Sequence, residues 1–213
     1  MRKAMAGILL ILAGAAQADE VVIAALGDSL TQGYGLPVEE GLVPQLEEWL
    51  KARGAEVRLI NAGVSGDTTA GGLARVDWTL TPEVDGMIVT LGGNDLLRAL
   101  DPAQTRANLD GVLKAAQAAE VEVLLIGMEA PNNYGPEYKT QFDTIYPDLA
   151  EAYGTLYLDS FFAGLRDRDV LPDPAALRPY FQPDGIHPNA RGVSEIVEAI
   201  GPHVEDLIDR IED

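Results

Sequence analysis

The sequence contains no cysteine, which excludes disulfides, thiolate catalysis and cysteine-ligated zinc. It has only two histidines, His187 and His203, which argues against a metal site built from several imidazoles. Basic residues are scarce: 15 Lys and Arg stand against 34 Asp and Glu, for a net charge of −19. Nucleic acids and anionic membranes both need a basic footprint, so neither is an expected partner. The acidic residues are scattered rather than run together, as on a solvated surface. Beyond the N-terminus no apolar run approaches the roughly 20 residues that a membrane-spanning helix needs. Serine is scarce too, with Ser29, Ser65, Ser160 and Ser194 as the whole set.

What is present suits one globular domain: 213 residues, 47% of them hydrophobic, with 22 glycines and 13 prolines. Arg2 and Lys3 precede an apolar stretch over residues 4–16, and Ala16-Gln17-Ala18 offers small residues at a cleavage site. Residues 1–18 therefore read as a secretory signal peptide, leaving 19–213 as a single domain. Its removal would take the net charge to −21 by deleting two positive charges. The alternative, an uncleaved anchor, meets the difficulty that the segment is short for a span. A soluble protein, periplasmic or secreted, is expected, without stable membrane insertion and as a monomer.

Short runs of Val, Ile and Leu at residues 21–26, 56–60, 86–91, 121–126 and 155–158 are bounded by Gly, Asn or Asp and read as buried strands. Segments 42–53, 69–80, 102–119 and 137–153 have apolar residues at helical spacing, and Pro147 should kink or restart the last of them. A final helix runs from Asn189 to about Ile211, with an interruption expected near Gly201-Pro202. Alternating strands and helices imply an α/β fold with a parallel sheet. Ligands bind such sheets beyond the carboxyl ends of the strands. There the sequence places Gly27-Asp28-Ser29, Asn61-Ala62-Gly63, Gly92-Gly93-Asn94-Asp95 and Gly127-Met128.

Ser194 falls within the last helix, and Ser160 fits a helix cap. Ser65 lies in Gly63-Val64-Ser65-Gly66-Asp67, one glycine short of a G-x-S-x-G elbow, and fits a turn into a helix capped by Asp67 or Thr68. Ser29 directly follows a strand and a glycine; by itself it suits a nucleophile or a turn hydroxyl equally. A nucleophilic serine needs a base within hydrogen-bond reach. His203 sits mid-helix, whereas His187 lies in Asp184-Gly185-Ile186-His187-Pro188-Asn189, just before the last helix. The Asp-x-x-His spacing lets one tight turn return the Asp184 carboxylate to the imidazole, where it fixes the tautomer and stabilises the imidazolium. An oxyanion site needs donors as well. The Ser29 N–H, the Gly63 N–H and the Asn94 side chain are candidates, although Gly63 alone is an ordinary loop glycine and Asn94 alone an equally good helix cap.

GDSLTQGYG, NAGVSGDTTAGGLAR, LGGND and DGIHPN, in this order, resemble the four blocks of the SGNH (GDSL) hydrolases, most of all the exported arylesterase, thioesterase I and lysophospholipase subgroup. The likeness extends to NYGPEY and IYPDLA and spans nearly everything after the leader. It implies a flavodoxin-like three-layer α/β/α fold with about five parallel strands, and no metal or organic cofactor. It assigns the nucleophile to Ser29, the histidine and aspartate to His187 and Asp184, and the oxyanion glycine and asparagine to Gly63 and Asn94. Residues 96–103 resemble the family's mobile acyl-binding loop, so that Leu96, Leu97 and Leu100 would line an apolar channel; a helix start packing its leucines inward fits the same residues. The expected activity is hydrolysis of a small-molecule ester or thioester, such as an aryl ester, acyl thioester or lysophospholipid. Two alternatives are a carbohydrate or peptidoglycan O-acetyl esterase and a non-catalytic exported binding protein.

Overall fold

The computed structural model describes residues 20–166 and 174–213. The expected leader, and with it the cleavage site, lies outside the described residues. Five strands, β1 (Val21–Gly27), β2 (Val57–Gly63), β3 (Gly86–Thr90), β4 (Glu122–Ile126) and β5 (Leu156–Leu158), form one sheet in the order β2-β1-β3-β4-β5. All pairings are parallel. Every residue of β1 and β3 is buried, as a parallel strand covered on both faces requires, and this explains their unbroken apolar runs. β2 is an edge strand, and its outer half emerges from the core.

The helices are α1 (Ser29–Gln32), α2 (Leu42–Lys51), α3 (Thr69–Thr79), α4 (Gly93–Leu97), α5 (Pro102–Ala118), α6 (Pro136–Asp143), α7 (Ile145–Tyr153), α8 (Pro174–Leu177) and α9 (Ala190–Glu212). α2 and α9 pack together on one face of the sheet, and α3, α5 and α7 cover the other, giving the three-layer α/β/α arrangement. Among the described residues no helix is long and apolar enough to cross a membrane.

Two helix expectations need correction. Segment 137–153 breaks at Thr144 rather than at Pro147: α6 ends at Asp143 and α7 begins at Ile145. Pro147 lacks the N–H that would bond back to Asp143, so the break lies upstream and the proline sits in the first turn of the new helix, where no donor is needed. The interruption expected near Pro202 does not occur. α9 runs unbroken through it because Val193, Ile196, Val197, Ile200, Val204 and Leu207 form one buried stripe on both sides. Pro202 itself is exposed, so the carbonyl it leaves unbonded faces water.

The sheet order reverses direction at β1: the chain goes out to β2 and returns to β3 on the other side. The crevice between the carboxyl ends of β1 and β3 is thus the topological switch point, where ligands of such sheets bind. Ser29 follows β1 and Asn94 follows β3, one on each side.

Candidate active site

Ser29 opens α1, a single helical turn capped by Asp28, whose Oδ1 accepts the Leu30 N–H at 3.0 Å. As the first helical residue, Ser29 has an N–H with no acceptor inside the helix. Gly27 makes this turn possible by close approach. Its φ is not in the left-handed region, but a Cβ there would collide with the hydroxyls of Thr31 and Thr90, which are hydrogen-bonded to each other.

His187 reaches Ser29 from a tight loop before α9. The Gln182 N–H donates to His187 O at 2.8 Å, the Asn189 N–H donates to Tyr180 O at 2.9 Å, and Gly185 supplies the positive φ of 69° that the loop demands. Asp184 Oδ1 accepts the N–H groups of Ile186 and His187 at 2.9 and 3.0 Å, so the expected turn forms. Its other oxygen lies 2.7 Å from His187 Nδ1, and His187 Nε2 lies 2.8 Å from Ser29 Oγ. The carboxylate acceptor at Nδ1 selects the tautomer with its proton there, leaving Nε2 to accept from the serine hydroxyl. The hydrogen bond from His187, reinforced by the two backbone N–H groups, holds the Asp184 carboxyl down at about 2. Tyr34 covers the imidazole, with ring centroids 4.6 Å apart. Gln182 Nε2 fastens that tyrosine's loop by donating to Tyr34 O at 2.8 Å.

Asn94 lies in the first turn of α4, and its Nδ2 donates to Asp28 Oδ2 at 3.1 Å. One amide proton is thereby used to orient the side chain, and the other is free of this bond. Burial raises the Asp28 pKa against the lowering effect of Leu30 and Asn94. Asp95 is 1% exposed and anchors α4 from below. It accepts the Thr69 N–H at 2.9 Å, Thr69 Oγ1 at 2.6 Å and Thr105 Oγ1 at 3.2 Å, tying α4 to α3 and α5.

Gly63 stands apart from the other expected site residues. Its N–H already donates to Asn61 Oδ1 at 3.0 Å. The amide of Gly66 differs. A turn closed by the Asp67 N–H on Val64 O places Gly66 at a φ of 85°, and among the described residues its own N–H has no acceptor. Arg98, just after α4, donates to Gly66 O at 2.8 Å and so pins this turn to the helix that carries Asn94. Arg75 holds the same corner from the other side: it donates to Ala62 O at 2.7 Å and Gly27 O at 2.8 Å while pairing with Asp67 at 2.7 Å. Thr68, one of the two expected caps, caps α3.

The rival serines have other partners. Ser65 Oγ donates to Gln32 at 2.9 Å, Ser160 accepts the Phe162 N–H at 3.2 Å as a local cap, and Ser194 is exposed on α9. A cleft of about 610 Å³ opens beside Ser29 and Asn94, within the range usual for small-molecule sites. Leu30, Leu96, Leu97, Met128, Phe162 and Phe181 give it apolar walls. The expected leucines divide: Leu96 and Leu97 line the cleft, whereas Leu100 does not, because α4 ends before it. Among the described residues no cluster of three or more His, Asp or Glu is arranged to hold a metal ion.

Sequence and structure comparisons agree on the setting of this site. The GDSL-like lipase/acylhydrolase family model matches residues 25–194. Esterase TesA of Pseudomonas aeruginosa is 34% identical over 205 residues, 96% of this chain and 98% of that protein. An arylesterase of Vibrio mimicus is 34% identical over 192 residues, 89% of this chain and 90% of that protein. Among solved structures, the SGNH-hydrolase family esterase AlinE4 is 44% identical, with a TM-score of 0.71 over 89% of this chain and 97% of that one.

Proposed function

The chain belongs to the GDSL-like lipase/acylhydrolase family, and we propose that it hydrolyses carboxylic esters and thioesters through an acyl-enzyme on Ser29. The observation that carries this reading is the continuous Asp184–His187–Ser29 relay at 2.7 and 2.8 Å, opening on an apolar cleft. Ser29 Oγ attacks the acyl carbonyl carbon while its proton passes to His187 Nε2, and Asp184 stabilises the imidazolium. The oxyanion is met by the Ser29 N–H and the Asn94 amide. For the further backbone donor, the Asn61 bond at Gly63 and the unengaged amide at Gly66 favour Gly66. Collapse of the tetrahedral intermediate expels the alcohol or thiol, which takes the proton from His187. Water then repeats the sequence and releases the acid.

The apolar walls favour an acyl chain over a carbohydrate, whose hydroxyls would be left without partners there. The basic and apolar leader at residues 1–18 supports an exported enzyme, periplasmic or secreted. The test is a fluorophosphonate probe combined with steady-state kinetics on a short aryl ester. Ser29→Ala abolishes both labelling and turnover, and Asn94→Ala lowers kcat by roughly 10²–10³-fold, the usual cost of one oxyanion donor. Labelling that moves to Ser65 would overturn the assignment of the nucleophile, and wild-type turnover in Asn94→Ala would remove Asn94 from the oxyanion site. Asn61→Ala, which frees the Gly63 amide, leaves kcat unchanged if Gly66 is the donor; a higher kcat would return the role to Gly63.

A further inference from the structure

The cleft changes character along its length. It starts at Ser29 beyond β1, passes Asn94 beyond β3, and continues to the loops beyond β4 and β5. The lining residues that follow β1 and β3 include the apolar Leu30, Leu96 and Leu97; those that follow β4 and β5 mix Met128, Ala130 and Phe162 with the charged Glu129, Lys139 and Arg166. Glu129 is shared by both cations, with Lys139 Nζ at 3.1 Å and the Arg166 guanidinium in direct contact. Lys139 also pairs with Asp143 at 2.7 Å and donates to Ala130 O at 2.8 Å, and Arg166 pairs with Asp159 at 3.4 Å. Two cations thus meet three carboxylates, and neither cation is left for an anionic ligand. The wall between the two ends is tied together: Tyr134 donates to Leu96 O at 2.7 Å and Tyr138 to Leu100 O at 2.9 Å.

We propose that the Glu129–Lys139–Arg166 cluster is an acyl-length stop that makes this a medium-chain rather than a long-chain acyl esterase. The inference rests on the acyl-enzyme at Ser29. The side chains of Lys139, Arg166 and Glu129 retain 26%, 30% and 40% of their exposure, so water still solvates the cluster. A hydrocarbon laid over them removes that water without replacing its hydrogen bonds, which is unfavourable. Over the apolar walls the same methylenes bind favourably. The strand order sets the distance: at ~4.8 Å per strand, β4 lies about 10 Å and β5 about 14 Å from β1. An extended chain advances about 1.2 Å per bond, one third of the ~3.6 Å spanned by an extended residue. The stop is therefore met about eight to twelve bonds from the serine.

The test is kcat/KM for p-nitrophenyl esters from acetyl to palmitoyl, with the wild type and the Glu129→Leu/Arg166→Leu double variant, in which Lys139 keeps Asp143. In the wild type, each methylene raises kcat/KM by up to about fourfold until roughly eight carbons, and values fall beyond roughly twelve. The double variant raises the ratio of the fourteen-carbon to the four-carbon ester about tenfold, the worth of nearly two buried methylenes. The ratio is internal to each protein, so a partial loss of folded enzyme does not disturb it. Should the double variant fail to fold, Arg166→Leu alone raises the same ratio, with Glu129 still paired to Lys139. A wild-type profile that keeps rising to sixteen carbons overturns the inference while leaving the esterase reading intact. So does a decline that the folded variants do not move. Absence of hydrolysis at every length, together with absence of fluorophosphonate labelling, overturns both.

Discussion

Asp95→Ala should destabilise the protein severely, and the size of the effect follows from what the carboxylate holds. Asp95 is 1% exposed and accepts three hydrogen bonds, two of them from Thr69, the first residue of α3. A carboxylate at that position also meets the positive end of the α3 dipole. Once it is removed, Thr105 Oγ1 can still bond to Asp101 O at 3.4 Å, and Thr69 Oγ1 still accepts from Asn108 Nδ2 at 3.0 Å. The Thr69 N–H and hydroxyl proton have no comparable substitute in their buried site. Two charge-assisted bonds at about 1.5–3 kcal/mol each put the loss near 3–6 kcal/mol. That is a large part of the roughly 5–15 kcal/mol that holds a typical domain together. With a urea m-value of about 2 kcal/mol/M, the unfolding midpoint should fall by about 2 M. Asp95→Asn keeps one acceptor oxygen and should lose less than half as much. Because Asn94 is the preceding residue on α4, kcat should fall with both variants. A midpoint for Asp95→Ala within about 0.3 M of the wild type would refute the claim that this carboxylate anchors the helix.

Asp184 titrates at about 2, below the ordinary carboxylate value, because His187 and two backbone N–H groups bond its charged form. The folded protein therefore binds this proton less readily than the unfolded chain. The stabilisation is full above the ordinary carboxylate pKa and is lost as pH falls through about 2. Urea midpoints measured from about pH 5 down to pH 2 should fall less steeply for Asp184→Asn than for the wild type, and parallel profiles would refute the assignment. Pro202→Ala restores an N–H inside α9 at an exposed position, so it should raise stability by about 1–3 kcal/mol, read as a higher Tm at unchanged esterase activity. A lower Tm would mean that the proline ring, rather than the buried stripe, stabilises this part of the helix.

The parts legible in the sequence were those whose physics is local. Strands β1 and β3 announce themselves because a parallel strand buried on both faces must be apolar throughout. The Asp184–His187 turn was readable from three-residue spacing, since the same carboxylate caps two N–H groups and meets the imidazole. Gly63 and Gly66 show where local reading ends. Gly63 ends β2 and Gly66 follows it in the same short motif, and only the Asn61 side chain and the positive φ at Gly66 distinguish an engaged amide from an available one. Asp28, Asp95 and Arg75 stand inside the motifs that the sequence singles out, but their anchoring roles were not legible there, because the partners lie elsewhere in the chain: Asp28 orients Asn94, Asp95 bonds residue 69, and Arg75 bonds residue 27. The helix breaks failed differently, since proline states only which N–H is missing. Whether a helix yields there depends on burial to either side, which is continuous across Pro202. The cleft follows the same division. The residues proposed for catalysis stand in motifs at strand ends, while the ionic cluster joins residues 129, 139 and 166, which only the fold makes neighbours. If the ionic cluster limits acyl length as proposed, the residues of the chemistry are written in local motifs, and the choice of substrate resides in tertiary contacts.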